Sequence, residues 1–187
     1  MAECREVPTI NQDKGETPMD SLQKFNTALQ YEEKIRDLYR TAEQTVDDER
    51  GKAIFRALAR DEQSHVDFLL YSLDQLRQKM TINLDRLVTA IPARTEIEAN
   101  LAKMRAKIPE RMLGDIKTVL GSALKLEKET SAFYRDARDK SEGEIRAIFD
   151  KFVVIEDRHV DVVQIELDHA LHNGMWFNFM EVDLEAY

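Results

Sequence analysis

Cysteine is almost missing from this chain. Among 187 residues there is one, Cys4, so an internal disulfide framework and any Cys-x-x-Cys zinc or iron site are excluded, and a reducing compartment is implied. Helix breakers are scarce too: 6 Gly and 4 Pro, well below the roughly 7% and 5% of an average chain. Bases are outnumbered by acids, 27 against 36, for a formal net charge of -9. Nucleic acid is thereby excluded as a partner, because its binding rests on clustered Lys and Arg. No apolar run approaches the roughly 20 residues of a membrane span. Met1 to Pro18 carries Glu3, Arg5, Glu6, Asp13, Lys14 and Glu16 where a secretory signal needs an apolar stretch. A soluble cytoplasmic protein is expected. What is abundant is charge, 34% of residues at a mean hydropathy of -0.50, a composition that suits a single domain of long helices.

The breakers that do occur mark the helices. Prolines stand at 8, 18, 92 and 109, leaving 19–91 and 110–187 without the residue that most reliably ends a helix. Thr17-Pro18 reads as an N-cap followed by the first helical position. Asp47-Asp48-Glu49-Arg50-Gly51 is a turn, giving helices from about 18 to 46 and 49 to 79. Ser141-Glu142-Gly143-Glu144 has the spacing of a capping box, dividing a helix over about 113–140 from one over about 142–173. Gly174 would close the latter as a C′ glycine. Residues 1–17 read as a flexible N-terminal segment, 18–173 as the helical domain, and 174–187 as an apolar tail. The tail contains Met175-Trp176-Phe177-Asn178-Phe179-Met180 and is expected to pack on the bundle or on a dimer partner. The connection over 80–110 holds both internal prolines and reads as broken and partly helical. It can span a helix of about 28 residues, roughly 42 Å long. The second hairpin can therefore start at the opposite end from the first.

The two hairpins repeat one another. Ala28 to Ala42 aligned with Ala123 to Ala137 matches at six of fifteen positions, and Ala53 to Asp67 aligned with Ala147 to Asp161 at seven of fifteen. About one match per window is expected from ordinary residue frequencies. Two amphipathic hairpins would share apolar positions by default. They would not share Glu, His and Tyr on a common frame.

Each half carries one glutamate on its first helix, Glu32 or Glu127, and a Glu-x-x-His on its second, Glu62 with His65 or Glu156 with His159. Residues three apart share a helix face, and Ala59, Phe68, Phe152 and Val163 around these pairs are core types. Carboxylates aimed into a bundle are costly unless compensated. Four glutamates carry -4, and two divalent cations supply +4, so a dinuclear metal site is expected. A third Glu-x-x-His, Glu166 to His169, turns away: His169 lies about 140° around the helix from Glu156. His169 and His172 instead read as last-turn cations that complement the helix dipole. Tyr39 and Tyr134 stand two turns beyond Glu32 and Glu127 on the same face. They are placed either to hydrogen-bond those carboxylates or as plain core residues.

This set of residues resembles the ferritin-like di-iron carboxylate bundles, whose ligands are one Glu from each of two helices and a Glu-x-x-His from each of the others. It is most similar to the rubrerythrin branch, through Glu32 with Tyr39, Glu62 with His65, Glu127 with Tyr134, and Glu156 with His159, over about residues 20–172. The resemblance implies an all-α, ferritin-like four-helix bundle holding two iron ions, a cage that manganese or zinc could also occupy. Glu62 and Glu156 would bridge the metals, Glu32 and Glu127 would be terminal ligands, and His65 and His159 would each take one metal. Two departures bear on activity. Rubrerythrins carry a further glutamate where this chain has Thr130, and Glu129 faces about 200° away from Glu127. The four cysteines of their rubredoxin module have no counterpart.

The resemblance implies a di-iron oxidoreductase acting on peroxide, dioxygen or ferrous iron, with an external electron-donor protein and a homodimer as its expected partners. Two other readings stay open: an iron store or sensor without turnover, and a metal-free helical interaction module. Cys4 is assigned no role.

Overall fold

The computed structural model describes residues 18–100 and 106–177. The N-terminal segment with Cys4, the proposed Thr17 cap and the tail beyond Phe177 lie outside them. Four long helices form the fold: α1 (Pro18–Thr45), α2 (Glu49–Gln78), α4 (Leu113–Asp139) and α5 (Gly143–Asn173), with a short α3 (Arg94–Asn100) in the connection. Each boundary lies within two residues of its expected place. No described helix is long and apolar enough to cross a membrane.

Local chemistry accounts for most of the ends. Asp48 caps α2 by accepting the Gly51 N–H at 2.9 Å. Gly174, at φ 61°, closes α5 by donating its N–H to the His169 carbonyl, the left-handed conformation that glycine adopts without strain. The capping box expected at Ser141 does not form: Glu142 is the N-cap, with no side-chain cap bond. Both box side chains are engaged elsewhere. Ser141 Oγ donates back to the Ala137 carbonyl at 2.7 Å and accepts from Lys24 Nζ at 3.0 Å. Glu144 accepts the Ile82 N–H at 2.9 Å, tying α5 to the connection.

The hairpins α1–α2 and α4–α5 pack with α1 antiparallel to α4, since Lys24 near the start of α1 reaches the Lys140 carbonyl just beyond α4. The connection climbs along α5. Lys151 holds the Leu84 carbonyl (3.0 Å), Arg158 the Ile91 carbonyl (3.3 Å), and Asp161 pairs with Arg94 (3.2 Å). It ends beside the α1–α2 turn, where Arg111 meets Asp47 at 2.7 Å. Thirty-odd residues thus run the height of the bundle and invert the second hairpin, as their length allowed.

The end of the connection is sewn to the C-terminal segment. Strand β1 (Ala106–Lys107) pairs antiparallel with β2 (Met175–Trp176). Trp176 is fully buried, lies edge-on to Phe55 with ring centroids 6.0 Å apart, and donates its indole N–H to Asp48 at 2.7 Å. Phe177 is likewise buried, and its N–H goes to Glu166 at 2.9 Å. The core has two parts. One gathers Ile35, Tyr39, Phe55, Leu58, Leu120 and Trp176; the other gathers Phe25, Phe68, Tyr134, Phe149 and Phe152. Between them lies a polar layer.

Candidate metal centre

That layer is made of Glu32 from α1, Glu62 and His65 from α2, Glu127 from α4, and Glu156 and His159 from α5, every one fully buried. The structure brings together all six residues singled out from the repeat. Helical spacing explains the local part: residues three apart aim their side chains in one direction. The inverted packing of the hairpins explains the rest, because it sets the two halves at the same height.

His65 Nδ1 lies 3.3 Å from Glu32, 3.2 Å from Glu62 and 3.9 Å from Glu156. His159 Nδ1 lies 2.6 Å from Glu62 and 3.8 Å from Glu127. The rings are 5.3 Å apart. Three overlapping clusters of donor atoms result, Glu32–Glu62–His65–Glu156, Glu62–Glu127–His159 and, on the far side of the rings, Asp61–His65–His159, each within 4.8 Å. Glu62 belongs to the first two, with one oxygen turned to each histidine. Glu156 is gathered with the first.

Tyr39 donates to Glu127 and Tyr134 donates to Glu32, each at 2.5 Å. Each tyrosine therefore serves the glutamate of the opposite half. Seven residues along a helix is about 10.5 Å, farther than a phenol reaches. The antiparallel contact of α1 with α4 instead sets position 39 beside 127 and position 134 beside 32.

Sequence reasoning missed Asp61. Its Oδ2 lies 2.8 Å from His159 Nε2 and 3.5 Å from His65 Nε2. It also accepts the Thr89 hydroxyl at 2.6 Å and the Ala90 N–H at 2.7 Å, both from the connection. One carboxylate thus stands behind both imidazoles. A weak signal was present, since Asp61 and His65 are i,i+4 on one helix face. The repeat hid it, because the matching position in the second half is Ile155.

The protonation pattern follows from burial and neighbours. Burial, then the Glu62 charge, raise Glu32 to about 7 and Glu127 to about 8. Burial and the charges of Glu32 and Glu62 hold Glu156 well above its usual value. For Glu62 burial also pushes upward, but His159 and His65 outweigh it and the carboxyl falls below its ordinary range. Asp61 is likewise lowered: burial pushes it upward, but the bond to His159, the charges of His159 and His65 and the Thr89 hydroxyl together outweigh burial. Burial works against charging the imidazoles, but Glu32 and Glu62 around His65, and Glu62 and Asp61 around His159, raise both well above 6.5. Without metal the layer is thus two carboxylates, two imidazolium rings and glutamates that retain protons. It approaches neutrality by holding protons where cations could sit.

The donor set fits divalent metal. Glu127 Oε2, both oxygens of Glu156 and His65 Nε2 are buried with no hydrogen-bond partner among the described residues. Such orphans are costly in a core, and carboxylate with imidazole is the chemistry that iron, manganese or zinc accepts. The remaining candidates lie elsewhere. Glu166 binds the Phe177 N–H, and His169 and His172 bond the carbonyls of Ile165 and Asp168 in the last turns of α5. Thr130 is buried and bonds the Leu126 carbonyl, while Glu129 is partly exposed beside Lys125.

A family model described as Rubrerythrin matches residues 25–167. Comparison with curated proteins and with solved structures gave no match. The match spans α1 through most of α5 and takes in every residue of the polar layer, so this chain belongs to the rubrerythrin family of ferritin-like di-iron proteins.

Proposed function

We propose that the polar layer holds two iron ions and that the protein is an oxidoreductase acting on hydrogen peroxide, dioxygen or ferrous iron. In this reading Glu32, Glu62, His65, Glu127, Glu156 and His159 would be the ligands, and Glu62 would contribute to both glutamate-containing donor clusters. One observation carries it: four glutamates and two histidines are buried in contiguous clusters, with several donor atoms unpartnered.

A ferrous pair supplies two electrons, the number that reduces peroxide to water. The chain's own residues do the rest. Both oxygens of Glu156 lack a hydrogen-bond partner among the described residues and are free to change their attachment as charge changes. Tyr39 and Tyr134 stay protonated, because burial and the adjacent Glu127 and Glu32 charges raise them well above 10. They therefore donate continuously and hold those two carboxylates in place. Asp61 accepts from the far side of His159 and fixes its ring so that Nδ1 faces the carboxylates. The two hydrophobic clusters exclude bulk water from above and below. Repeated turnover on peroxide needs a reductant, and an electron-donor protein fills that role.

Elemental analysis of purified protein tests the site, with about two metals per chain expected and loss in Glu62→Ala and Glu156→Ala. Stopped-flow spectra of the ferrous protein mixed with peroxide or oxygen, under continuous reductant, test turnover. Oxidation that stops after one equivalent per site would assign the protein to iron storage or sensing instead.

A further inference from the structure

The outward seam between α1 and α2 collects four arginines, Arg36 and Arg40 on α1, and Arg56 and Arg60 on α2. Each pair is spaced i,i+4, which stacks like charges on one helix face and is unfavourable by itself. Arg40, Arg56 and Arg60 line a cleft of about 350 Å³ together with Glu43, Ala59 and Gln63.

The charges in this cleft are unevenly met. Arg56 is paired with Glu43 at 2.7 Å. Arg40 and Arg36 share a neutral acceptor, Gln63 Oε1, at 2.8 and 3.3 Å. The Gln63 amide is held in that sense, since its Nε2 donates to Asp67 at 2.8 Å. Asp37, exposed on the rim, lies 2.9 Å from Arg36 and 3.7 Å from Arg40. Arg60 has no acceptor among the described residues. The lining therefore presents three guanidinium groups and one carboxylate, in a chain whose net charge is -9.

We propose that this cleft binds a phosphate-bearing small molecule. Guanidinium groups approach from both helices, which suits a tetrahedral anion with several acceptor oxygens better than a planar carboxylate that one fork satisfies. The volume exceeds that of a bare phosphate and falls in the range of small-molecule clefts, leaving room for an organic remainder against Ala59. Concavity on this scale favours a small ligand over a flat protein partner. The site is separate from the metal layer and does not depend on it. Ala59 precedes Glu62 by one turn and Arg36 follows Glu32 by one turn, so the two share walls without sharing residues.

The test is calorimetric titration of the full chain, as purified and after chelation, with inorganic phosphate and glycerol 3-phosphate. Citrate and sodium chloride at matched ionic strength are the comparisons. Chelation removes any signal from phosphate binding to metal. Saturable one-to-one binding of both phosphates is expected, weakened about tenfold or more by Arg60→Ala or Arg40→Ala and partly recovered in Arg60→Lys. Lys125→Ala on the outer face of α4 should change nothing. Heats equal to those of sodium chloride, or phosphate binding that survives the Arg40→Ala/Arg60→Ala double variant, would overturn the proposal. Citrate binding as tight as phosphate, with the same arginine dependence, would also overturn the phosphate assignment.

Discussion

Loading metal into the polar layer should expel a large and countable number of protons. At pH 7 the metal-free layer holds a proton on each imidazole beyond its neutral form, because His65 and His159 are both raised well above 6.5. Glu127 at about 8 is mostly protonated and Glu32 at about 7 is half so, while burial and the charges of Glu32 and Glu62 push Glu156 toward its protonated form. Metal ligands must be neutral imidazoles and ionised carboxylates. Two dications should therefore displace two protons from the rings, about two from Glu127 and Glu156, and half of one from Glu32, or about four to five in all. At pH 9 Glu32 and most of Glu127 have already ionised, so the number should fall by at least about one. Calorimetric titration of chelated protein with manganese or anaerobic ferrous ion, in buffers of different ionisation enthalpy, reads the count directly. Release of fewer than about two protons at pH 7 would mean the layer is already anionic without metal, and would refute the protonation pattern.

The same shifts set the stability of the metal-free chain. Glu32 and Glu127 have folded values above the unfolded 4.5, so the native state keeps protons that the unfolded chain releases. Their stabilisation is complete below about 4.5 and fades as pH rises through about 7 and about 8. The two raised histidines add the same sign above 6.5. Glu62 and Asp61, both lowered, act in the opposite sense, and only as pH falls toward their depressed values. Each retained proton costs about 1.4 kcal/mol per pH unit. By pH 8 the loss reaches several kcal/mol, comparable with a typical total stability of about 5–15 kcal/mol. Thermal melts from pH 6 to 9 should fall steeply for chelated protein and stay much flatter for loaded protein.

Further substitutions probe single contacts. Asp61→Asn should weaken metal binding about 10- to 100-fold by chelator competition, with unchanged helical circular dichroism; unaltered affinity would show that Asp61 only anchors the connection. Tyr39→Phe and Tyr134→Phe should each cost about 1–3 kcal/mol in denaturant unfolding, and by similar amounts, because each leaves one buried carboxylate oxygen of the opposite half without its donor. Gly51→Ala should destabilise by about 1–3 kcal/mol, since an added Cβ would stand 2.6 Å from Trp176 Cζ2 and 2.7 Å from Val46 Cγ1. Gly121→Ala should instead stabilise by about 0.5–1 kcal/mol, because nothing lies within 4 Å of that position in the middle of α4.

What could be read from the sequence, and what could not, divides along a physical line. The end at Gly174 and the turn over 47–51 were legible because caps and turns are contacts within a few residues. Glu32, Glu62, His65, Glu127, Glu156 and His159 were legible because the repeat shows them twice. The failures are all contacts across the fold. Ser141 and Glu144 have the letters of a capping box, but Lys24 and Ile82, far away in the chain, are their partners. The tyrosines were placed on the right face and beside the wrong glutamates, because the face is a property of one helix and the neighbour a property of two.

Asp61 shows the limit most clearly, and also what breaks the symmetry of the site. A repeat generates paired ligands, yet a single carboxylate serves both imidazoles from one side, at 2.8 Å from His159 and 3.5 Å from His65. It can do so only because the connection crosses that side and offers Thr89 and Ala90 to hold it. The matching position in the second half is Ile155, which is packed among apolar residues. Two near-equivalent halves therefore offer inequivalent surroundings to the two proposed metals. His159 is bonded at both ring nitrogens, whereas His65 Nε2 lacks a hydrogen-bond partner among the described residues. Ligand basicity rises with the hydrogen bond on the far nitrogen, so the His159 position should fill first and more tightly. Substoichiometric loading followed by paramagnetic NMR of the two histidines would show it, and simultaneous, equal occupancy would refute the inequivalence.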